Sequence, residues 1–202
     1  MNLGLTGGIG CGKTSALSRF EENGWRTVNT DLVAREFLEK DAAVKKAVLD
    51  TFGETVFQEN GEVNRGKLGT LVFSDPKSLD KLERILHPPT REHWLGLLRR
   101  HPHENWIVEI PLLFEKKLES HFDIVICMHA CDELSDQRLR KKGLGSDAIR
   151  PRRSRQLPLS FKMDRADHIL SNNGSIDFLF KQIDHLCAFL EGADHPSNFH
   201  AP

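Results

Sequence analysis

Near the N-terminus the chain reads Gly7-Gly8-Ile9-Gly10-Cys11-Gly12-Lys13-Thr14, which fits G-x-x-x-x-G-K-[ST] at every fixed position. This pattern constrains the fold more than any other stretch. Its chemistry needs a strand before it, a helix after it, and a loop whose backbone N–H groups converge on an anion. Both flanks comply. Residues 2–6 form a short apolar run suited to a buried strand, and residues 15–20 continue with helical character. The glycines let the backbone curl inward, and the following helix adds the positive end of its dipole. Gly8, Gly10, Cys11, Gly12, Lys13, Thr14 and Ser15 are therefore candidate nucleotide contacts. Lys13 is placed to reach the outer phosphates, and the Thr14 hydroxyl to ligate Mg²⁺. A glycine-rich turn with a chance lysine would leave the matching flanks unexplained.

A length of 202 residues suits one α/β domain with an insertion. Lys+Arg at 28 against Asp+Glu at 29 leaves no global field to draw the chain toward nucleic acid or a membrane. No apolar run approaches the roughly 20 residues that span a bilayer, and no basic-then-apolar leader opens the chain, so a cytoplasmic protein is expected. The cysteines at 11, 127, 131 and 187 form no C-x-x-C pair, which argues against a zinc site or a disulfide framework. Cys11 is either a small residue that fits the loop or a redox-sensitive thiol beside Lys13.

The rest of the chain reads as alternating strands and helices around one insertion. Gly24 closes the first helix, and residues 25–29 form a second strand that delivers Asp31 at its carboxyl end. Ligands gather there in parallel sheets, so Asp31 is a site candidate, with a helix N-cap as its structural alternative. Residues 41–100 show apolar spacings of three and four with polar starters. They predict a helical cap of segments 41–52, 64–73, 75–86 and 88–100, broken at His87-Pro88-Pro89. Strands follow at 106–110, 122–128 and 166–170. Glu109 either supports Mg²⁺ through water or points away from the nucleotide by strand alternation. Residues 137–165 carry ten lysines and arginines with no aromatic platform among them. This favours a lid that closes arginines over transferring phosphates against a nucleic-acid patch. Asn172 and Asn173, after the fifth strand, serve either the adenosine or simple turn chemistry. A helix is expected over 176–190 and a disordered tail over 192–202.

In this order the parts resemble the dephospho-CoA kinase family over nearly the full length. The likeness rests on Leu5 to Thr14, on Asp31 through Ala34-Arg35, on His87-Pro88 and on Pro111-Leu112-Leu113-Phe114-Glu115. Gln137-Arg138, the spaced pair Arg153 and Gln156, and Ala166-Asp167 with Asn172-Asn173-Gly174 complete it. The resemblance implies transfer of the ATP γ-phosphoryl group to the ribose 3′-hydroxyl of dephospho-CoA, with Mg²⁺ accompanying ATP. It implies a P-loop core (1–40, 101–136 and 166–191), a helical acceptor-binding cap (41–100) and an arginine-bearing lid (137–165). Lys13, Asp31 and Arg138 take the catalytic roles in this reading. Arg153 and Asn172 join Arg138 on the ATP side, and Thr6, Arg35 and His87 join Asp31 on the acceptor side.

The chain also departs from the family pattern. Many relatives carry Asp-x-Asp after the second strand, where this chain has Asn29 and leaves Asp31 as the single acid. Cys11 replaces a frequent serine, and Lys142 stands where a second lid arginine is usual, losing the bidentate fork. Another P-loop kinase would share Lys13, Thr14 and the lid. A nucleotide-dependent regulator would have no use for Asp31, and no guanine-specifying Asn-Lys-x-Asp occurs.

Overall fold

The computed structural model describes residues 1–193, so the tail expected from 192 falls, from residue 194, outside the described residues. In chain order the elements are β1 (Asn2–Gly7), α1 (Lys13–Glu22), β2 (Arg26–Asn29), α2 (Thr30–Lys40), α3 (Ala42–Phe52), α4 (Arg65–Ser74) and α5 (Pro76–Arg100). There follow β3 (Trp106–Glu109), β4 (Ile124–His129), α6 (Asp132–Lys141), α7 (Ser146–Ser154), α8 (Leu159–Arg165), β5 (His168–Ser171) and α9 (Ile176–Ala193). The chain divides into two compact units, one of Met1–Thr27 with the chain from His103, the other of Val28–Pro102.

The sheet has the order β2-β3-β1-β4-β5, and all of it but the last two residues of β2 belongs to the first unit. β1 pairs in parallel with β3 and β4, and β4 with β5. Every residue of β1 after Asn2 is buried, as a parallel strand covered on both faces requires. Leu3, Leu5, Ile107, Ile126 and Met128 form a core with Ala16, Leu17 and Phe20 of α1. Leu179, Ile183, Leu186, Cys187 and Leu190 of α9 join them, at the three- and four-residue spacing of one helix face. Residues 159–165, read from sequence as part of the lid, form α8, which packs against β1 and β4 with Lys162 fully buried.

The second unit is helical. Its starts are set by side-chain caps: Asn29 accepts from the Leu32 amide, Asp41 from Val44, Asn64 from Lys67, and Asp75 from Lys77 and Ser78. Leu38 of α2 shares a core with Val44, Val48, Leu68, Val72, Leu82 and Leu86, so this unit begins at Val28, whereas the sequence reading began the cap at 41. The predicted break at His87-Pro88-Pro89 is also corrected, because α5 runs through both prolines. Each interior proline costs about 3 kcal/mol. Leu82, Leu86, Trp94 and Leu98 are buried on a strip of four-residue period spanning the prolines, and each contributes about 1.5–3 kcal/mol. Burial on both sides of the breakers outweighs them.

At the rim of the first unit Arg19 ties α1 to α9. Its Nε and Nη2 donate to the two carboxylate oxygens of Asp184 at 2.7 and 2.6 Å, and Asn23 donates to the same group at 3.0 Å. These bonds hold the Asp184 carboxyl down at about 2. A depressed folded-state pKa stabilises above the unfolded value near 3.9 and is lost as pH falls toward the folded value. Urea midpoints measured from pH 5 to 2 should therefore fall more steeply in the wild type than in Asp184→Asn, by a modest amount because the pair is partly exposed.

Candidate active site

β1 ends at Gly7 and α1 starts at Lys13, so the intervening loop is pinned at both ends by the sheet core. Gly12 caps α1 in the left-handed region (φ 95°), with no side-chain cap and no acid in the first turn. Helix geometry leaves the first-turn amides, Thr14 and Ser15 among them, without the acceptor that a side-chain cap would supply. The first bond that closes the helix is Ala16 N–H to the Gly12 carbonyl, at 3.2 Å.

Asn172 clamps this loop. It is 4% exposed, and its Nδ2 donates to the Cys11 carbonyl at 2.9 Å. A Cβ on Gly12 would lie 2.2 Å from that nitrogen, which excludes any side chain at position 12. Arg138 of α6 completes the arrangement, its Nη2 donating to the Asn172 backbone carbonyl at 2.8 Å and to Oδ1 at 3.2 Å. Its Nη1 is buried with no hydrogen-bond partner among the described residues. An orphaned guanidinium nitrogen beside an anion cradle is poised for a phosphate or another acceptor. The Lys13 ammonium lies in the same cradle, donating to the Gly8 and Gly7 carbonyls at 3.0 and 3.4 Å.

The wall of the loop is built from two segments that sequence reasoning kept apart. Ile9 N–H donates to Gln156 Oε1 at 3.0 Å. The next residue, Leu157, donates its amide to Glu115 Oε1 at 2.8 Å, and the buried Lys162 ammonium meets the same oxygen at 2.8 Å. Lys162 also donates to the Pro111 carbonyl at 2.8 Å, which accepts from Thr6 Oγ1 at 3.3 Å. Burial pulls the Lys162 pKa below its ordinary value, against the pull of Glu115. Glu115 and Gln156 lay within the family-like motifs but were given no role. Lys162 was read as a lid cation, because nothing in a heptapeptide such as LSFKMDR marks its lysine as buried.

Arg153 is held by Asp136 and Asp132 of α6, at 2.5 and 3.7 Å, through acids the sequence reading passed over. Glu109 is the last residue of β3, 4% exposed and in register with Leu5. Thr6 is fully buried and Thr14 is exposed at the start of α1. Cys11 is fully buried, which leaves its thiol inaccessible to oxidants in the folded chain. Burial pushes the Cys127 thiol up to about 12 and Cys187 to about 11, so both remain protonated at neutral pH.

In the second unit Asn29 takes the helix-cap role, accepting from Leu32 N at 3.0 Å, which removes the cap alternative for Asp31. Asp31 and Arg35 are exposed on α2 one turn apart, on one face of the helix. His87 is half-exposed within continuous α5, its Nε2 4.0 Å from Glu83, and does not sit at a helix junction.

Among the described residues no group of three or more His, Cys, Asp or Glu is arranged to hold a metal ion. The Thr14 hydroxyl stands exposed in the first turn of α1.

A parallel sheet whose central strand runs through a glycine-rich loop into an uncapped helix, with an arginine clamped beside the loop, is the fold of a P-loop kinase. The dephospho-CoA kinase family model matches residues 1–177, and the chain belongs to that family. A dephospho-CoA kinase of Bdellovibrio bacteriovorus is 35% identical over 192 residues, covering 94% of this chain and 96% of the relative. The crystal structure of TT1252 from Thermus thermophilus superposes with a TM-score of 0.78 at 30% identity, covering 94% and 97% of the two chains. The solved structure of dephospho-CoA kinase from Campylobacter jejuni gives 0.70 at 22% identity, covering 96% and 98%, and bears out the fold.

Gly12→Ala should lower stability by at least the roughly 1–2 kcal/mol of a left-handed non-glycine backbone. It should also weaken ATP binding tenfold or more, through collision with Asn172. Thermal melts and calorimetric titration with ATP check both expectations.

Proposed function

We propose that the protein transfers the γ-phosphoryl group of ATP to the 3′-hydroxyl of dephospho-CoA, yielding coenzyme A and ADP in the cytoplasm. The observation that carries this reading is the uncapped start of α1, held open by the Asn172–Arg138 clamp in a chain of this family. Phosphoryl transfer calls for little covalent chemistry from the protein, so catalysis is positioning and charge stabilisation. The amides of Lys13, Thr14 and Ser15 grip the phosphates. The Lys13 ammonium leaves the loop carbonyls for the moving group, where it offsets developing negative charge. Arg138 offers its buried Nη1 to the nucleotide, and Asn172 serves by holding loop and arginine together, a positioning role in place of the base contact read from sequence.

Mg²⁺, held by Thr14 and the phosphates, would supply charge neutralisation between the outer phosphate oxygens. Asp31 orients the acceptor hydroxyl and receives its proton late in transfer, with positioning the larger part because a carboxylate is a weak base. The Asn29 cap fixes the first turn of α2 and thereby the place of Asp31 on it. An asparagine there caps as well as an aspartate does. The family's usual first acid can thus be replaced without loss of local structure. Arg35, one turn further on, and His87 on α5 are assigned to the acceptor side.

Incubation with Mg²⁺, ATP and dephospho-CoA, followed by detection of coenzyme A, tests the reading. Failure to form coenzyme A while shikimate, a deoxynucleoside or a sugar alcohol is phosphorylated would replace the acceptor, and no transfer at all would remove the activity. Lys13→Ala should abolish turnover. Asp31→Asn should lower kcat by about 10²–10⁴ while ATP binding survives. Wild-type kcat in Asp31→Asn would take that residue out of the mechanism.

A further inference from the structure

The hydrogen bond from Ile9 N–H to Gln156 Oε1 joins the phosphate loop to the end of the basic segment, 147 positions away in the chain. We infer that Gln156 is a positioning residue for phosphoryl transfer: its carboxamide oxygen fixes the Ile9 peptide on the limb of the loop that leads from β1. The inference rests on the kinase reading above and adds a residue to which no role had been given.

Three observations converge on this assignment. The first is anchorage. Gln156 is delivered by a backbone that cannot drift, because its neighbour Leu157 is tied to Glu115, and Glu115 is locked by a lysine with no exposed surface. The same lysine holds the Pro111 carbonyl, to which β1 is joined through Thr6. Gln156 and the loop it holds are therefore referred to one rigid frame. The second is contact. Leu159, which opens α8, lies behind the loop so closely that a Cβ on Gly8 would sit 3.7 Å from its Cδ2. The Ile9 limb is thus backed by carbon, with its Gly7 and Gly8 carbonyls held by Lys13 and its Ile9 amide held by Gln156. The third is chemistry. A residue serving there must accept a hydrogen bond, which excludes lysine and arginine. It must also stand beside an anion cradle, where a carboxylate would repel phosphate. Among side chains of that reach, glutamine meets both demands.

The two limbs of the loop are held by different means. The Cys11–Gly12 limb is clamped by Asn172, and the helix amides beyond it are fixed by α1 itself. Removing the Gln156 oxygen leaves those groups intact and loosens the other limb. Ground-state grip on ATP should change little, while alignment of the reacting group, which has the steeper dependence on geometry, should suffer.

The test uses the full chain with Gln156→Leu and Gln156→Glu. Gln156→Leu should lower kcat about tenfold with KM for ATP within about threefold of wild type. By NMR, its Ile9 amide should exchange with solvent faster while Lys13, Thr14 and Ser15 amides keep their wild-type rates. Gln156→Glu, which keeps an acceptor at the same reach, should restore Ile9 protection and most of kcat, and should raise KM for ATP by charge repulsion. Wild-type Ile9 exchange in Gln156→Leu would overturn the inference. So would a raised KM with unchanged kcat, which would make Gln156 a direct ATP ligand. If Gln156→Leu does not fold, a failure of Gln156→Glu to protect Ile9 overturns it equally. The exchange measurement needs no substrate, so it separates failure of this inference from failure of the kinase reading, which would show as absent turnover in the wild type.

Discussion

The start of α1 presents donors that the helix itself cannot use. An α-helix leaves its first amides without internal partners, and most helices close that end with a serine, aspartate or asparagine. The helices of the second unit do so through Asn29, Asp41, Asn64 and Asp75. α1 does not, because its cap is Gly12. The electrostatic demand of that end is left for a ligand, and everything around it keeps the loop from collapsing onto it. Asn172 fills the space a side chain at position 12 would need, Arg138 braces Asn172, and Gln156 restrains the opposite limb.

The frame behind the loop is a buried ion pair, which is a costly way to build. Taking Lys162 and Glu115 out of water is repaid only where their remaining bonding capacity is met. Lys162 meets this in part through Glu115 and the Pro111 carbonyl, and Glu115 Oε1 gains the Leu157 amide, while Glu115 Oε2 is buried with no hydrogen-bond partner among the described residues. An apolar pair of the same volume would pack as well but would have no means of holding a carbonyl and an amide in place. The pair thus trades stability for directional control over the two backbone segments that shape the loop.

Much of this was legible in the sequence. The eight-residue motif and its flanks specified strand, loop and helix, and the apolar runs located each strand to within about two residues. The place of Lys13, Thr14 and the loop glycines between β1 and α1 was legible because the motif demands a fixed spacing. What was not legible depended on packing. α5 continues through Pro88 and Pro89 because buried side chains on both sides outweigh the breakers, a balance that local rules cannot see. The cap at the start of α2 fell to Asn29, because β2 ends there as read and α2 begins at once with Thr30, ahead of Asp31. Asn172 read as a turn residue or an adenosine contact, and the bonds that tie it to Cys11 and Arg138 could not be read from the sequence. Lys162 was counted among surface cations, and only the fold buries it.

The prolines of α5 have a mechanical consequence. A helix of 25 residues is about 37 Å long, and its stiffness comes from the ladder of carbonyl-to-amide bonds along it. Pro88 and Pro89 delete two successive rungs near the middle, leaving the carbonyls of Arg84 and Ile85 without their helical donors. A rod weakened at one point flexes at that point and stays straight elsewhere, so strain applied to either end of α5 gathers beside His87.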